Sequence, residues 1–162
     1  MEYILSDKSD EVTGCLFCTK AQDDRDRENL ILCRGAYTYI ILNLYPYNNG
    51  HLMVVPYQHT GQLEELDAAT LAEMMWQVSR SVAVLKRSMS PDGFNIGINI
   101  GHAAGAGVEQ HVHMHVVPRW VGDTNFMPVV GETRLIPEEL HTTYERLLRD
   151  GIADEGCINR GT

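Results

Sequence analysis

Three histidines alternate with apolar residues in His111-Val-His-Met-His115. In an extended strand successive side chains point to opposite faces. His111, His113 and His115 then share one face, about 7 Å apart, while Val112, Met114 and Val116 share the other. Three imidazoles in a row are a costly core, because each ring needs a partner for its second nitrogen and protonated neighbours repel. The pattern therefore reads as a site. Two chemistries suit it: the rings could hold a metal such as zinc, or one imidazole could attack phosphorus as a nucleophile. The preceding loop, Gly101-His-Ala-Ala-Gly-Ala-Gly107, favours the second. Its three glycines and three alanines let backbone amides approach an oxyanion of phosphate type. A tight turn between two strands would have the same composition. Asn99, just before the loop, could donate to the same phosphate.

Cysteine supplies the other candidate chemistry. Cys15-Leu-Phe-Cys18 spaces two thiols as in half a metal site, a redox pair or a chance pair of core residues. Cys33 lies in the apolar run Leu30–Cys33 and reads as a small core residue. Cys157, in a polar tail, carries no visible message. Met1–Asp10 is acidic and short of apolar residues, unlike a secretory leader. Free thiols in a reduced, cytoplasmic compartment are therefore expected over disulfides.

These residues need elements to position them. Tyr37–Leu42 and His51–Val55 are strand-like, and Leu44-Tyr-Pro-Tyr-Asn-Asn-Gly50 between them is rich in turn residues, so the pair reads as a hairpin. Residues 19–29 are polar and read as a surface loop. Leu63, Leu66, Leu71, Met74, Met75, Val78, Val82, Leu85 and Met89 recur at helical spacing; Asp67 is the expected N-cap and Ser90-Pro-Asp-Gly93 the stop. Phe94–Ile100 alternates as a half-buried strand, and His111–Pro118 as another. Pro137–Asp150 reads as a terminal helix closed by Gly151. The tail after Ile152 is expected to fray. With the strands in meander order and one long helix between the second and third, the fold class is α+β around an antiparallel sheet.

Composition sets outer bounds. The chain has 162 residues, 44% hydrophobic and 22% charged, enough for one domain with a real core. No apolar run approaches a membrane span, so no membrane partner is expected. A net charge of −9 leaves no broad basic footprint, so no nucleic-acid partner is expected either.

The run His111–Val117 resembles the signature of the histidine-triad nucleotide-binding, or HIT, family. Gly50-His51-Leu-Met-Val-Val-Pro56 with His59 is similar to that family's first hairpin. Cys15-Leu-Phe-Cys18 is similar to the entry of its zinc-bearing branch, and Pro118–Met127 to its bacterial diadenosine tetraphosphate phosphorylase-like members. The resemblance implies a five-stranded antiparallel sheet with one long helix and a C-terminal helix. The single domain would span residues 12–150, between an N-terminal extension (1–11) and a polar tail (151–162).

The resemblance also implies roles. His113 would attack the α-phosphorus of a nucleotide, adenine being the expected base. This forms a nucleotidyl-histidine that passes its group to water or phosphate. His115 would contact phosphate oxygens and help the leaving group, and His111 would support the strand or hold metal. Asn43 would bind ribose hydroxyls. Leu16, Phe17, Leu42 and Leu44 would form an apolar slot for the base, although by residue type alone they are ordinary core residues. His51 would be a structural histidine near the site, and Asn99 and Gly107 would meet phosphate. A structural Zn2+ would be held by Cys15, Cys18, His59 and His111, as in the related galactose-1-phosphate uridylyltransferases. A homodimer paired edge to edge is implied as well.

Many family members carry Gln or Ser just before the triad, where this chain has Ala106, Gly107 and Val108, so polyphosphate contacts would rest on backbone amides. His102, Glu109, Gln110 and His141 receive no role. Two other readings stand beside the enzyme: a nucleotide-binding module without turnover, and a zinc hydrolase in which all three histidines hold a catalytic metal. A cupin-like metal barrel fits the long helix poorly.

Overall fold

A computed structural model gives the protein's structure and describes residues 14–123, 138–154 and 156–158. The N-terminal extension, the end of the Pro118–Met127 run and the helix start at Pro137 lie outside those residues. The chain order is α1 (Leu16–Gln22), α2 (Asp26–Asn29), β1 (Ile31–Arg34), β2 (Thr38–Leu42), β3 (Leu52–Pro56), α3 (Ala68–Met89), β4 (Gly93–Ile98), β5 (Met114–Arg119) and α4 (Leu140–Arg149). No helix among the described residues is long and apolar enough to cross a membrane.

The five strands form one antiparallel sheet in the order β1-β2-β3-β5-β4. The expected meander therefore fails at its end. After α3 the chain reaches the far edge as β4, and β5 inserts between β4 and β3. This places the histidine strand inside the sheet with a neighbour on each side. Its ladder starts at Met114, so the strand is shorter than the alternation over 111–118 implied. Residues 111–113 are held instead by the loop after β3, through Val112 N–H donating to Thr60 O (2.7 Å).

Register assigns the faces. Ile41, Met53, His115 and Gly97 stand opposite one another across β2, β3, β5 and β4, as do Leu42, Leu52, Val116 and Ile96 one residue away. The second face meets α3. That helix is capped as expected, Asp67 Oδ1 accepting from Thr70 N–H (2.7 Å), and it ends at Ser90 in the left-handed region. Its buried stripe is narrower than the spacing suggested. Met74, Val78, Val84 and Leu85 are buried, but Leu71 and Met75 face solvent and the polar Gln77 and Ser81 face in. Each fully buried Leu, Ile or Val there contributes about 1.5–3 kcal/mol.

Three further expectations are corrected. Residues 19–29 contain most of α1 and all of α2, pinned to the sheet by Arg34. Its buried guanidinium donates to Ala21 O and Asp23 O (2.6 Å each) and pairs with Asp26 (2.7 Å). Cys33 and Cys157 are joined in a disulfide with Cα atoms 5.3 Å apart, so neither is free. The described residues of the tail are accordingly not frayed. Gly151 N–H and Ile152 N–H close α4 on Leu148 O and Leu147 O, and Ile158 N–H donates to Arg34 O at the β1 edge (2.6 Å).

Candidate active site

Phe17, near the start of α1, lies over the histidine strand. Its ring centroid is 5.4 Å from His111 and 4.9 Å from His113, and its carbonyl accepts from the buried Tyr39 hydroxyl (2.9 Å). His111 and His113 are thus covered on one side by an aromatic ring. His113 and His115 are neighbours, with centroids 4.8 Å apart.

The second nitrogen of each ring decides what the first can do. His113 Nδ1 is 2.8 Å from the carbonyl of His111. A carbonyl only accepts, so Nδ1 carries the proton and Nε2 keeps a lone pair. His111 Nε2 is 2.8 Å from Pro56 O, so the proton is there and its Nδ1 lone pair is open. His115 is set at one remove. Tyr47 N–H donates to His51 Nδ1 (3.1 Å), so His51 holds its proton on Nε2 and donates it to His115 Nδ1 (2.9 Å). His115 must then present Nε2–H. Three residues of one type thus present an Nε2 lone pair (His113), an Nδ1 lone pair (His111) and an Nε2–H (His115).

Burial keeps these rings neutral. Desolvation holds His113 and His111 below the ordinary histidine value, in each case partly offset by the backbone carbonyl. Burial, then the neighbouring His113, lowers His115 to about 4. Burial, then His115 and His113, lowers His51 to about 3. A neutral His113 is what nucleophilic attack requires.

His111 Nδ1 points away from the other two histidines, at Cys15, Cys18 and His59. It lies 3.3 Å from Cys15 Sγ, 3.5 Å from Cys18 Sγ and 3.3 Å from His59 Nδ1, and Cys18 Sγ is 3.4 Å from His59 Nδ1. All four donor atoms lie within 4.8 Å of one another. Bonds of about 2.0 Å to nitrogen and 2.3 Å to sulfur at the corners of a tetrahedron put ligand atoms about 3.3 Å (N to N) and about 3.6 Å (N to S) apart. The residues therefore fit a tetrahedral cation. Burial and then the adjacent Cys15 push the Cys18 thiol up. A metal shared by all three triad histidines would have to take His111 through Nδ1, because its Nε2 meets Pro56 O, and that Nδ1 lies among Cys15, Cys18 and His59.

The remaining expected residues divide. Asn43 Nδ2 is 3.4 Å from His51, and Asn43 Oδ1 accepts from Tyr45 N–H (3.0 Å), so it stands at the same cluster. Leu16 and Leu44 are half exposed. Leu42 is buried on the α3 face by register, and Ile41 occupies the triad face in its place. The period-2 rule would have found this once the register was known. Gly107 is exposed in the loop before His111, and Asn99 lines a groove beside His115. Sequence reasoning missed Tyr47, four residues before His51, whose ring lies 4.8 Å from His51 and 6.2 Å from His115. It also missed Arg34, whose only signal was a cation in an apolar strand beside an acidic run.

Several known proteins are similar to this chain. The family model described as HIT domain matches residues 25–121. A protein of Mycobacterium tuberculosis named AP-4-A phosphorylase is 47% identical over 123 residues, covering 76% of this chain and 63% of that protein. The bis(5'-nucleosyl)-tetraphosphatase [asymmetrical] of Schizosaccharomyces pombe is 34% identical over 93 residues, 57% of this chain and 50% of that one. A crystal structure of a Zn-bound histidine triad family protein from Mycobacterium smegmatis superposes with a TM-score of 0.69 at 30% identity, covering 85% of this chain and 93% of that chain. The chain thus spans under two thirds of the length of both curated relatives.

Proposed function

This chain belongs to the HIT domain family, and from that membership we propose that it cleaves dinucleoside polyphosphates or nucleoside phosphoramidates at the α-phosphorus through a nucleotidyl-histidine on His113. The observation that carries this reading is the 2.8 Å contact from His113 Nδ1 to His111 O, which fixes the proton and leaves a neutral Nε2 lone pair. That lone pair forms a bond to the α-phosphorus while the phosphorus–leaving-group bond breaks. The His111 carbonyl supports the positive charge that develops on the ring. His115 Nε2–H hydrogen-bonds the leaving atom, or protonates it where the leaving atom is an amine. An acceptor oxygen, from phosphate or water, then attacks the phosphorus, loses its proton and returns His113 to the neutral ring. Asn43 binds the ribose, and Phe17, Leu16, Ile41 and Leu44 line the base slot. Likeness to the M. tuberculosis protein supports phosphate as the acceptor.

Cys15, Cys18, His59 and His111 would hold a structural Zn2+. Two thiolates and two imidazoles close the tetrahedron and leave no position for substrate. When bound, the ion supplies a cross-link between α1 and the catalytic segment, and no chemistry to the reaction. The chain would also pair as a homodimer through β4. Of the two sheet edges, β1 is met by Ile158, while Ile96 on β4 is exposed and needs cover.

Product analysis with diadenosine tetraphosphate, with and without inorganic phosphate, tests the function. ADP plus ATP formed only with phosphate means phosphorolysis; AMP plus ATP without it means hydrolysis. No turnover of this substrate or of adenosine 5′-phosphoramidate would overturn the reading.

A further inference from the structure

On β4, the positions that share the triad face are Gly93, Asn95 and Gly97, opposite Arg119, Val117 and His115. An added Cβ at Gly93 or Gly97 would meet nothing within 4 Å. The alternation of glycine and asparagine therefore opens a strip along the sheet that starts at His115. A cavity of about 500 Å³ runs there, with Tyr47 and Asn48 on one wall and Asn95 and Asn99 on the other. Sites that hold small organic ligands measure roughly 300–1,000 Å³.

The far end of this groove is closed by groups that neutralise one another. Arg119 pairs with Asp123 (2.6 Å) and donates to Asn95 Oδ1 (2.6 Å), and Asn48 Nδ2 donates to Asp123 Oδ2 (2.7 Å). Charge at that end is spent, so it suits a neutral planar group better than a chain of phosphates. Tyr47 offers such a group a platform. One face of its ring leans on His51 and His115, and the side chain is 69% exposed. The Asn95 amide, whose Oδ1 is taken by Arg119, still presents its Nδ2–H donors to an acceptor atom on a purine edge.

Position supplies the last link. In an in-line displacement the leaving group departs on the side opposite the attacking His113 Nε2. Phe17 covers His113 on one side, and the groove opens from His115, the donor to the leaving atom. We infer that the groove between Tyr47 and β4 seats the distal nucleoside of a dinucleoside polyphosphate, the one that departs with the leaving group. The inference rests on the proposed nucleotidyl transfer and adds which half of the substrate each side of the triad recognises. It makes the chain selective for two-headed nucleotides over those with a small leaving group.

Two variants test it. Tyr47→Ala removes the platform, and Gly97→Val adds a branched side chain to the strip at a position where a Cβ meets nothing within 4 Å. Losing one base–aromatic stack weakens binding by about tenfold. The ratio of kcat/KM for diadenosine tetraphosphate to that for adenosine 5′-phosphoramidate is expected to fall about tenfold in each variant. A purely structural role lowers both substrates alike and leaves the ratio where it was; that result in both soluble variants overturns the inference. Calorimetric binding of AMP and of a non-hydrolysable diadenosine tetraphosphate analogue separates this failure from failure of the catalytic reading. If neither substrate turns over, the groove still predicts that both variants weaken the two-headed ligand about tenfold relative to AMP, and equal affinities refute it.

Discussion

His51→Phe isolates the control of His115 from behind. His51 is fully buried and joins Tyr47 N–H (3.1 Å) to His115 Nδ1 (2.9 Å). Phenylalanine keeps the ring volume and neither accepts nor donates. Losing the bond to His115 removes about 1 kcal/mol of preference for the Nε2–H form, or about fivefold in its population. The ring also loses its steering, and a general acid contributes about 10²–10⁴-fold in all. The two substrate classes should therefore separate. The amine of adenosine 5′-phosphoramidate must take a proton to leave, so kcat there should fall about 10- to 100-fold. ATP leaves diadenosine tetraphosphate as a stable anion and needs only a hydrogen bond, so kcat should fall about fivefold. His51→Gln, whose amide can accept from Tyr47 and donate to His115, should recover part of the loss. Steady-state kinetics on both substrates measures the split, and nitrogen-15 shifts of His115 read the tautomer directly. Equal losses on both substrates, or a wild-type His115 protonated on Nδ1, would refute the relay.

The remaining expectations concern stability. Cys15→Ser should lower bound zinc and melting temperature together, because the four-ligand cluster ties α1 to the histidine segment; a reduced protein that purifies without zinc, measured by elemental analysis, sinks the metal assignment. Acid should destabilise the fold through its buried histidines. Burial lowers His51 to about 3 and His115 to about 4, so only the unfolded chain takes up their protons near pH 6.5. Stability is then full above pH 6.5 and falls towards pH 4, by up to about 1.4 kcal/mol per unit for each ring. Urea midpoints at stepped pH check this, and His51→Phe should flatten the slope. Cys157→Ser opens a cross-link spanning 124 residues. Such a loss typically costs about 2–5 kcal/mol, or a melting-temperature drop of about 10 °C for a domain of this size. Calorimetry with no drop would show that the tail adds nothing.

Local rules found most of this fold and failed where distant chain decides. Asp67, Ser90 and Gly151 were legible as caps because a cap depends on its own few neighbours. The helix face was read too wide, since Leu71 and Met75 keep the spacing but look past the sheet. Strand order was missed because β5 enters between β3 and β4, a choice made by sheet pairing. The acidic stretch at 23–28 looked like loop. Its helical turns are held by Arg34, a partner that no local pattern announces. Cys33 and Cys157 were likewise separable as residues and joinable only once α4 and the tail were folded back.

At the site, period-2 alternation placed three imidazoles on one side, yet it left them chemically identical. What distinguishes them is the atom behind each ring: the His111 carbonyl for His113, the Pro56 carbonyl for His111, and the His51 imidazole for His115. Two of these are backbone atoms, and the third takes its own tautomer from the Tyr47 amide. Backbone groups carry no residue identity, so a sequence cannot display them. It follows that substitutions which keep all three histidines can still exchange their roles. A change at Pro56 or Tyr47 that moves the main chain alters which nitrogen each ring leaves open. The triad's chemistry is thus a property of β3 and its following turns as much as of the histidines, and His51→Phe, which leaves 111, 113 and 115 intact, is the substitution that separates the two.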